Sequence, residues 1–284
     1  MIALISKDAG GAEFISRYIK NNNQKFCIAA SGPAVRVFKK NFRNFRNLSV
    51  KKAILLSNRV LCSTGTSSDY EKKAMFLAKK HKKKTIAYLD HWVEYRQRFI
   101  VKNKLIRPDE IWVSDKYAFE IAKKNNLKNI KIKGNPLFID FKKYKKKFRK
   151  KPSNNILFLS EPVSNHLRSY YDEYKCIKFF IKNIDNLNID YNKILIRPHP
   201  SETVKKFNSI KRISKKIYIS KKNNIFYDIM NNKIIVGINS IALLLGLIGK
   251  KKVISCIPGK KNCELPHNGI IDFKYLLNEK KRKN

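Results

Sequence analysis

Acidic residues are scarce in this chain. Asp and Glu number 21 against 63 Lys and Arg, a formal net charge of +42 over 284 residues. No D-x-D pair occurs, which argues against a divalent metal bridging a diphosphate on paired aspartates, so no metal is expected. No apolar run reaches 18 residues, so no helix is expected to span a membrane. The start, MIALISKDAGG, lacks the basic region and small-residue cleavage site of a secretory signal. The five cysteines include no C-x-x-C pair, so reduced, structural thiols in a cytoplasmic protein are expected rather than a zinc site. G-x-G-x-x-G is missing, and no acidic residue ends the second strand to hold a ribose, which disfavours a dinucleotide cofactor. No cofactor is expected. Helix-turn-helix, RNA-binding aromatic strand and zinc-finger patterns are also missing. Lysine is spread along the whole chain amid many Asn and Ile, as in AT-rich coding sequence, so no specific nucleic-acid partner is expected. So basic a surface should still linger near anionic lipid head groups or acidic polymers, which predicts peripheral contact with an anionic membrane.

Short apolar runs alternate with amphipathic stretches throughout, the pattern of βαβ units and parallel sheets. Strands are expected at 2–6, 26–30, 60–63, 85–89, 111–113 and 130–132, and in a second set at 156–160, 193–197, 217–219, 234–237 and 253–257. Helices are expected after 2–6, where Phe14, Ile15, Tyr18 and Ile19 fall at helical spacing, at about 33–42, and after a Ser68/Glu71 capping box. Asp115 is a candidate N-cap, and further helices are expected near 170–184, 225–230 and 240–247. FKKYKKKFRKKP at 141–152 is charge-dense, lacks a long apolar stripe and is closed by turn residues. It divides the chain into an acceptor-side domain, 1–145, and a nucleotide-donor domain, 146–284. The tail EKKRKN should fray. The fold class is α/β, two doubly wound domains with a cleft between two sets of strand ends.

Open α/β sheets bind ligands at the carboxyl ends of their strands, and the chemistry-bearing residues cluster there. Ile194–Glu202 reads ILIRPHPSE: Arg197 offers a planar fork of donors suited to phosphate, His199 a second donor, and two prolines stiffen the loop. Gly237-Ile238-Asn239-Ser240 lies between a β-branched strand and an apolar helix, where Asn239 and Ser240 can present amides and a hydroxyl to an anion. Glu161 ends the first strand of the second domain and reads equally as a ribose acceptor or a turn residue. In the first domain, Asp8-Ala9-Gly10-Gly11 forms the first strand-to-helix turn. Gly10 and Gly11 serve either ligand approach or close helix–strand packing, and Asp8 is a cap or a functional carboxylate. Thr64-Gly65-Thr66-Ser67-Ser68 is explained mostly by capping. Asp90-His91-Trp92, followed by Tyr95, Arg96 and Arg98, places two titratable groups and two arginines within nine residues. Asp90 or His91 can take a proton from a hydroxyl nucleophile, and Trp92 and Tyr95 can stack on a sugar ring.

Together these residues resemble bacterial glycosyltransferases of the GT-B architecture, two Rossmann-like domains facing across a cleft. RPHP at 197–200 followed by GINSIALL at 237–244 looks like the His-Pro and Ser/Thr motifs of sialyltransferases and polysialyltransferases, and CDP-glycerol glycerophosphotransferases share a similar pair. The first domain (SKDAGGAE, STGT, LDHW, PDEIWVSD, KGNP) is similar in pattern to cytoplasmic surface-polysaccharide proteins. The resemblance implies a metal-independent, inverting transferase making lipopolysaccharide, capsule or a related glycan. It implies a CMP- or CDP-type nucleotide sugar donor whose phosphate meets His199, Ser240 and Arg197, and a glycan or lipid-linked acceptor. The acidic motif ending in glycine that supplies the base in sialyltransferases is missing; Asp90-His91 stands at a comparable strand end, with Asp8 as rival. Two other readings remain at this point. One is a nucleotide-sugar 2-epimerase, which needs acidic and histidine residues converging on the sugar. The other is a non-enzymatic basic protein binding acidic polymer or nucleic acid.

Overall fold

The computed structural model describes every residue except 67, 164–170, 201, 221–223 and 282–284. Four sequence expectations therefore touch residues outside the described ones: Ser67 in the hydroxyl-rich loop, Ser201 in the RPHPS loop, Tyr170 at a helix start and the last three residues of the tail. The chain forms two compact units, Met1–Asp140 and Phe141–Asn284.

In the first unit, β1 (Ile2–Ser6) is buried along its whole length. It leads into α1 (Ala9–Asn22), which starts on the Asp8 cap and ends at Asn23 in a left-handed conformation, the usual way a helix stops. Ala12, Ile15, Ser16 and Ile19 form the buried stripe of α1. There follow β2 (Phe26–Ala30), α2 (Ala34–Asn41), α3 (Val50–Leu55), β3 (Arg59–Cys62), α4 (Tyr70–Lys80) and β4 (Lys84–Tyr88). A small hairpin of β5 (Ile100–Val101) and β6 (Lys104–Leu105) precedes β7 (Glu110–Val113), α5 (Lys116–Lys124) and β8 (Ile130–Ile132). The sheet is wholly parallel, in the order β2-β1-β3-β4-β7-β8. Strand order reverses between β1 and β3, the switch point at which such sheets bind ligands.

Helix α6 (Pro136–Lys147) carries the chain from one unit into the other. The sequence places the domain boundary in the basic segment 141–152, and the first part of that segment lies in α6. Phe141 is fully buried and meets Phe226 edge-on at 5.2 Å, so the apolar side chains within the lysine run anchor a helix. In the first unit, Arg17 of α1 holds Asp140 at 2.7 Å. The units meet in sequence at 140/141, against an expected boundary of 145/146.

The second unit runs β9 (Ser153–Leu159), α7 (Glu173–Asn183), β10 (Ile194–Arg197), α8 (Asn208–Lys211), β11 (Ile217–Ile219), α9 (Ile225–Asn231), β12 (Asn232–Gly237), α10 (Ala242–Ile248), β13 (Lys252–Ser255), β14 (Ile270–Asp272) and α11 (Phe273–Lys281). Its order, β11-β10-β9-β12-β13-β14, is again all parallel, with the switch between β9 and β12. Gly246 lets α10 lie against the sheet: a Cβ there would stand 2.8 Å from Val253 Cγ2. The expected frayed tail begins inside α11, which Phe273, fully buried against Phe180, holds to the core. Among the described residues no helix is long and apolar enough to cross a membrane.

Candidate functional site

At the switch point of the first sheet the end of β1 supplies Asp8. Its Oδ1 accepts the Gly11 N–H at 2.6 Å, satisfying one of the open amides of the helix. Its Oδ2 is buried and has no hydrogen-bond partner among the described residues. Gly11 is a packing glycine, since a Cβ there would lie 2.4 Å from Ser63 Cβ at the end of β3. Gly10 and Gly65 differ: Cβ atoms on them would stand 3.6 Å from Asp8 Oδ1 and 3.2 Å from Asp8 Oδ2. Their lack of side chains leaves room around the carboxylate. The Gly10 Cβ position is also 3.6 Å from Asp90 Oδ2, so two carboxyl groups flank one backbone position.

Asp90 follows β4 and accepts a hydrogen bond from Arg98 Nη1 at 3.0 Å. Arg98 is 8% exposed and also donates to the Thr64 carbonyl (2.7 Å), Thr64 Oγ1 (3.2 Å) and the Val93 carbonyl (3.1 Å). It ties the loop after β3 to the loop after β4. Arg96, the candidate from sequence, is instead solvent-exposed at the start of the 3₁₀ turn Gln97–Phe99. The turn sends one arginine outward and the next but one inward, a difference invisible in the residue types. Trp92 is buried and donates to Asp115 Oδ1 at 3.1 Å, while the same oxygen caps α5 through Ala118 N–H, so the tryptophan anchors its loop and does not offer a stacking face. Tyr95 is buried as well.

The expected Ser68/Glu71 capping box is not formed. Asp69 occupies the N-cap position of α4, and Glu71 is 2% exposed, accepting the Lys7 N–H (2.7 Å) and the Ser63 hydroxyl (3.3 Å). Ser63 Oγ also lies 2.7 Å from Ser6 Oγ, within hydrogen-bond distance. Glu71 thereby joins the ends of β1 and β3, a site residue that the capping motif disguised.

Burial, reinforced by the charge of Asp90, raises the Asp8 pKa to about 6. Burial also raises that of Asp90, against the opposing pull of Arg98, and that of Glu71. Burial and the Arg98 charge lower His91 to about 4, and its Nδ1 is buried with no hydrogen-bond partner among the described residues. The edge therefore holds a carboxyl group able to gain or lose a proton near neutrality, a second carboxylate fixed by arginine, and a neutral imidazole.

At the second switch point the three residues expected to share one anion, Arg197, His199 and Ser240, each have protein partners. Arg197 Nη1 is ion-paired with Asp228 of α9, which is 5% exposed and also accepts the Ser220 hydroxyl at 2.7 Å. That buried carboxylate balances the guanidinium charge, so Arg197 here is a brace between β10 and α9. The His199 backbone N–H donates to Glu202 Oε2 at 2.8 Å, and Glu202 is bridged by Lys206 to the buried Glu173. Burial lowers the His199 pKa. Glu161, after β9, accepts the Asn239 N–H at 2.9 Å. The amide expected to meet phosphate thus meets a carboxylate from the neighbouring strand. Asn239 Oδ1 accepts the Glu264 N–H at 2.8 Å, and Ser240 Oγ accepts the Ala242 N–H at 3.3 Å at the start of α10. Glu161, Asn239 and Ser240 share the edge at the β9/β12 switch; Arg197 and His199 follow β10, on the other side of β9. Among the described residues no group of three His, Cys, Asp or Glu side chains is placed to hold a metal ion.

No protein-family model matches the chain, and no curated protein matches it in sequence. Solved structures do match in fold. S. aureus MnaA, determined with UDP, aligns with a TM-score of 0.65 at 12% identity, covering 99% of this chain and 87% of that one. UDP-GlcNAc 2-epimerase from Methanocaldococcus jannaschii aligns at 0.60 and 14% identity, over 99% and 91%. The glycotransferase of kitacinnamycin aligns at 0.56 and 10% identity, over 93% and 81%. The fold is therefore α/β and GT-B-like: two Rossmann-like parallel sheets of six strands with flanking helices.

Proposed function

We propose that the chain is a nucleotide-sugar enzyme, and specifically a metal-independent glycosyltransferase that uses Asp8 as its general base. The observation that carries this reading is the Asp8 carboxyl group. One oxygen is fixed by a helix N-terminus, the other is buried beside Gly65 with no hydrogen-bond partner among the described residues, and the pKa of the group stands at about 6. A base with a pKa near the working pH combines availability with driving force. The acceptor hydroxyl would give its proton to Asp8 Oδ2 as its oxygen attacks the anomeric carbon of the donor sugar. The bond to the nucleotide phosphate breaks on the opposite face, so configuration inverts. Asp90 is held by Arg98 and its charge keeps the proton affinity of Asp8 high. His91 is neutral at pH 7 and available to the acceptor as a hydrogen-bonding group. In the second unit, Glu161 would receive the ribose hydroxyls. The sequence motifs favour a CMP- or CDP-type donor and a cell-surface glycan or lipid-linked acceptor.

The test is to incubate the protein with UDP-, CDP- and CMP-activated sugars, with and without glycan acceptors, and to follow release of the nucleotide. Acceptor-dependent release that Asp8→Asn lowers roughly 10²–10⁴-fold supports the reading. Unchanged release in that variant contradicts it.

A second reading, a UDP-sugar 2-epimerase, is favoured by a specific observation. Asp8, Asp90 and His91 gather at one strand edge, the convergence such a reaction asks for, and two of the matched folds are MnaA with UDP and a UDP-GlcNAc 2-epimerase. An epimer formed from UDP-GlcNAc alone, with no acceptor, would decide for it.

A further inference from the structure

We propose that the outer face of α3 and α4 is a docking surface for an anionic lipid bilayer. The inference is independent of the reaction proposed above. α3 and α4 pack beside one another on the first unit. α3 buries Ala53 and Ile54 completely yet leaves Leu55 and Leu56 about half exposed, at 50% and 49%. On α4, Phe76 is 52% exposed while the neighbouring Ala74 and Met75 are buried. Isolated exposed apolar residues are ordinary; here three large ones fall on two helices that are in contact.

The residues around them are lysines. Lys51 and Lys52 stand one turn before the two leucines, and both are exposed. Lys73, Phe76 and Lys80 occupy successive positions of one exposed stripe of α4, and Lys80 Nζ lies 4.9 Å from the Phe76 ring centroid. No acidic residue occurs in α3. Glu71 of α4 is buried, Asp69 at its start is paired with Lys72, and Asp109 pairs with Lys79 near its end. Exposed leucine and phenylalanine framed by lysine is the composition of an element that lies in a membrane interface, with apolar groups below the head groups and ammonium groups among the phosphates. No described helix is long and apolar enough to cross a bilayer, so the contact is in-plane. A second copy of the chain would bring lysine against lysine, and an acidic polymer would need the lysines but not the apolar groups.

The test uses the full chain carrying Phe76→Trp and vesicles of phosphatidylcholine with phosphatidylglycerol, part of them brominated in the acyl chains. Trp92 and Trp112 are both 3% exposed and give a constant background. The introduced indole should shift its emission to the blue and be quenched by the brominated chains. An indole introduced as Ile132→Trp, 52% exposed on β8, should not. An unquenched indole at position 76 overturns the proposal even where the protein sediments with vesicles, because so high a net charge alone produces that result. Leu55→Ser with Leu56→Ser alters only half-exposed groups and should weaken vesicle partition roughly tenfold while leaving heparin binding unchanged. Equal loss for both ligands, no loss for either, or a dimer abolished by the same pair of changes would each overturn it.

Discussion

The two oxygens of Asp8 meet different surroundings, and the difference sets its chemistry. Oδ1 is a helix cap that any Asp or Asn can provide; Oδ2 lies buried with no hydrogen-bond partner among the described residues, and the carboxyl group feels the charge of Asp90. The pH dependence follows from the two titrations. Asp8 has an ordinary pKa of 3.8 when unfolded and about 6 when folded. Below 3.8 both states are protonated, and above 6 both are charged and the folded state bears the full penalty. Its contribution to stability is therefore greatest in acid and is lost as pH rises through 6. His91 runs the other way. Its pKa falls from 6.5 to about 4 on folding, so its contribution is present above pH 6.5 and is lost as pH falls towards 4. Asp8→Asn keeps the capping oxygen and removes the charge. Urea titrations should show the variant about 1–2 kcal/mol more stable than wild type at pH 7.5, with the gain fading at pH 4, after allowance for partial solvent exposure. A variant less stable at pH 7.5 would mean that the charge is well accommodated. Arg98 and Arg96 mark the limit of sequence reading at this scale. Both follow the same motif two residues apart, and only the 3₁₀ turn decides which is buried.

At the scale of elements, strands were legible because their apolar runs end in abrupt changes of composition. β1, β2, β8 and β11 fall where the residue pattern places them. What the pattern hid has physical causes. α3 is only six residues long, too short for a helical period to show. α11 carries Phe273, Leu276 and Leu277 at helical spacing, but the adjacent lysines dominate the composition. α6 was hidden in the same way by its lysine run, although Phe141 anchors it. At α4 a serine followed three residues later by glutamate reads as a capping box, whereas Glu71 is turned inward to join β1, β3 and α4. Two substitutions probe that junction. Glu71→Gln keeps an acceptor for the Lys7 N–H and should change stability by less than about 1 kcal/mol; Glu71→Ala strands that donor and should cost about 1–3 kcal/mol. Gly11→Ala forces a methyl group into Ser63 and should cost about 1–3 kcal/mol. Thermal unfolding monitored by circular dichroism distinguishes these outcomes.

Across the whole molecule, the alternation of short strands and helices was enough to read two doubly wound sheets, but not the details of the second switch point. RPHP and GINS each sit at a strand end in the second unit, yet Arg197 turns to Asp228, and Glu161 reaches across to the Asn239 amide. Both partners are remote in sequence, so no local pattern could announce them. Net charge acts at this scale too. At +42 the folded chain repels itself, and that repulsion is screened over about 10 Å at 0.1 M salt. The melting temperature should rise as sodium chloride increases from 20 to about 300 mM, and a fall would show that local ion pairs outweigh the net repulsion.

The central claim is a carboxyl group held ready to exchange a proton near neutral pH at the first switch point. It can be read without any substrate, by a carbon-13 NMR titration of the Asp carboxyl carbons, with Asp8 assigned by its loss in Asp8→Asn. The account predicts a titration midpoint near 6 for Asp8. A midpoint near the ordinary 3.8 would contradict it.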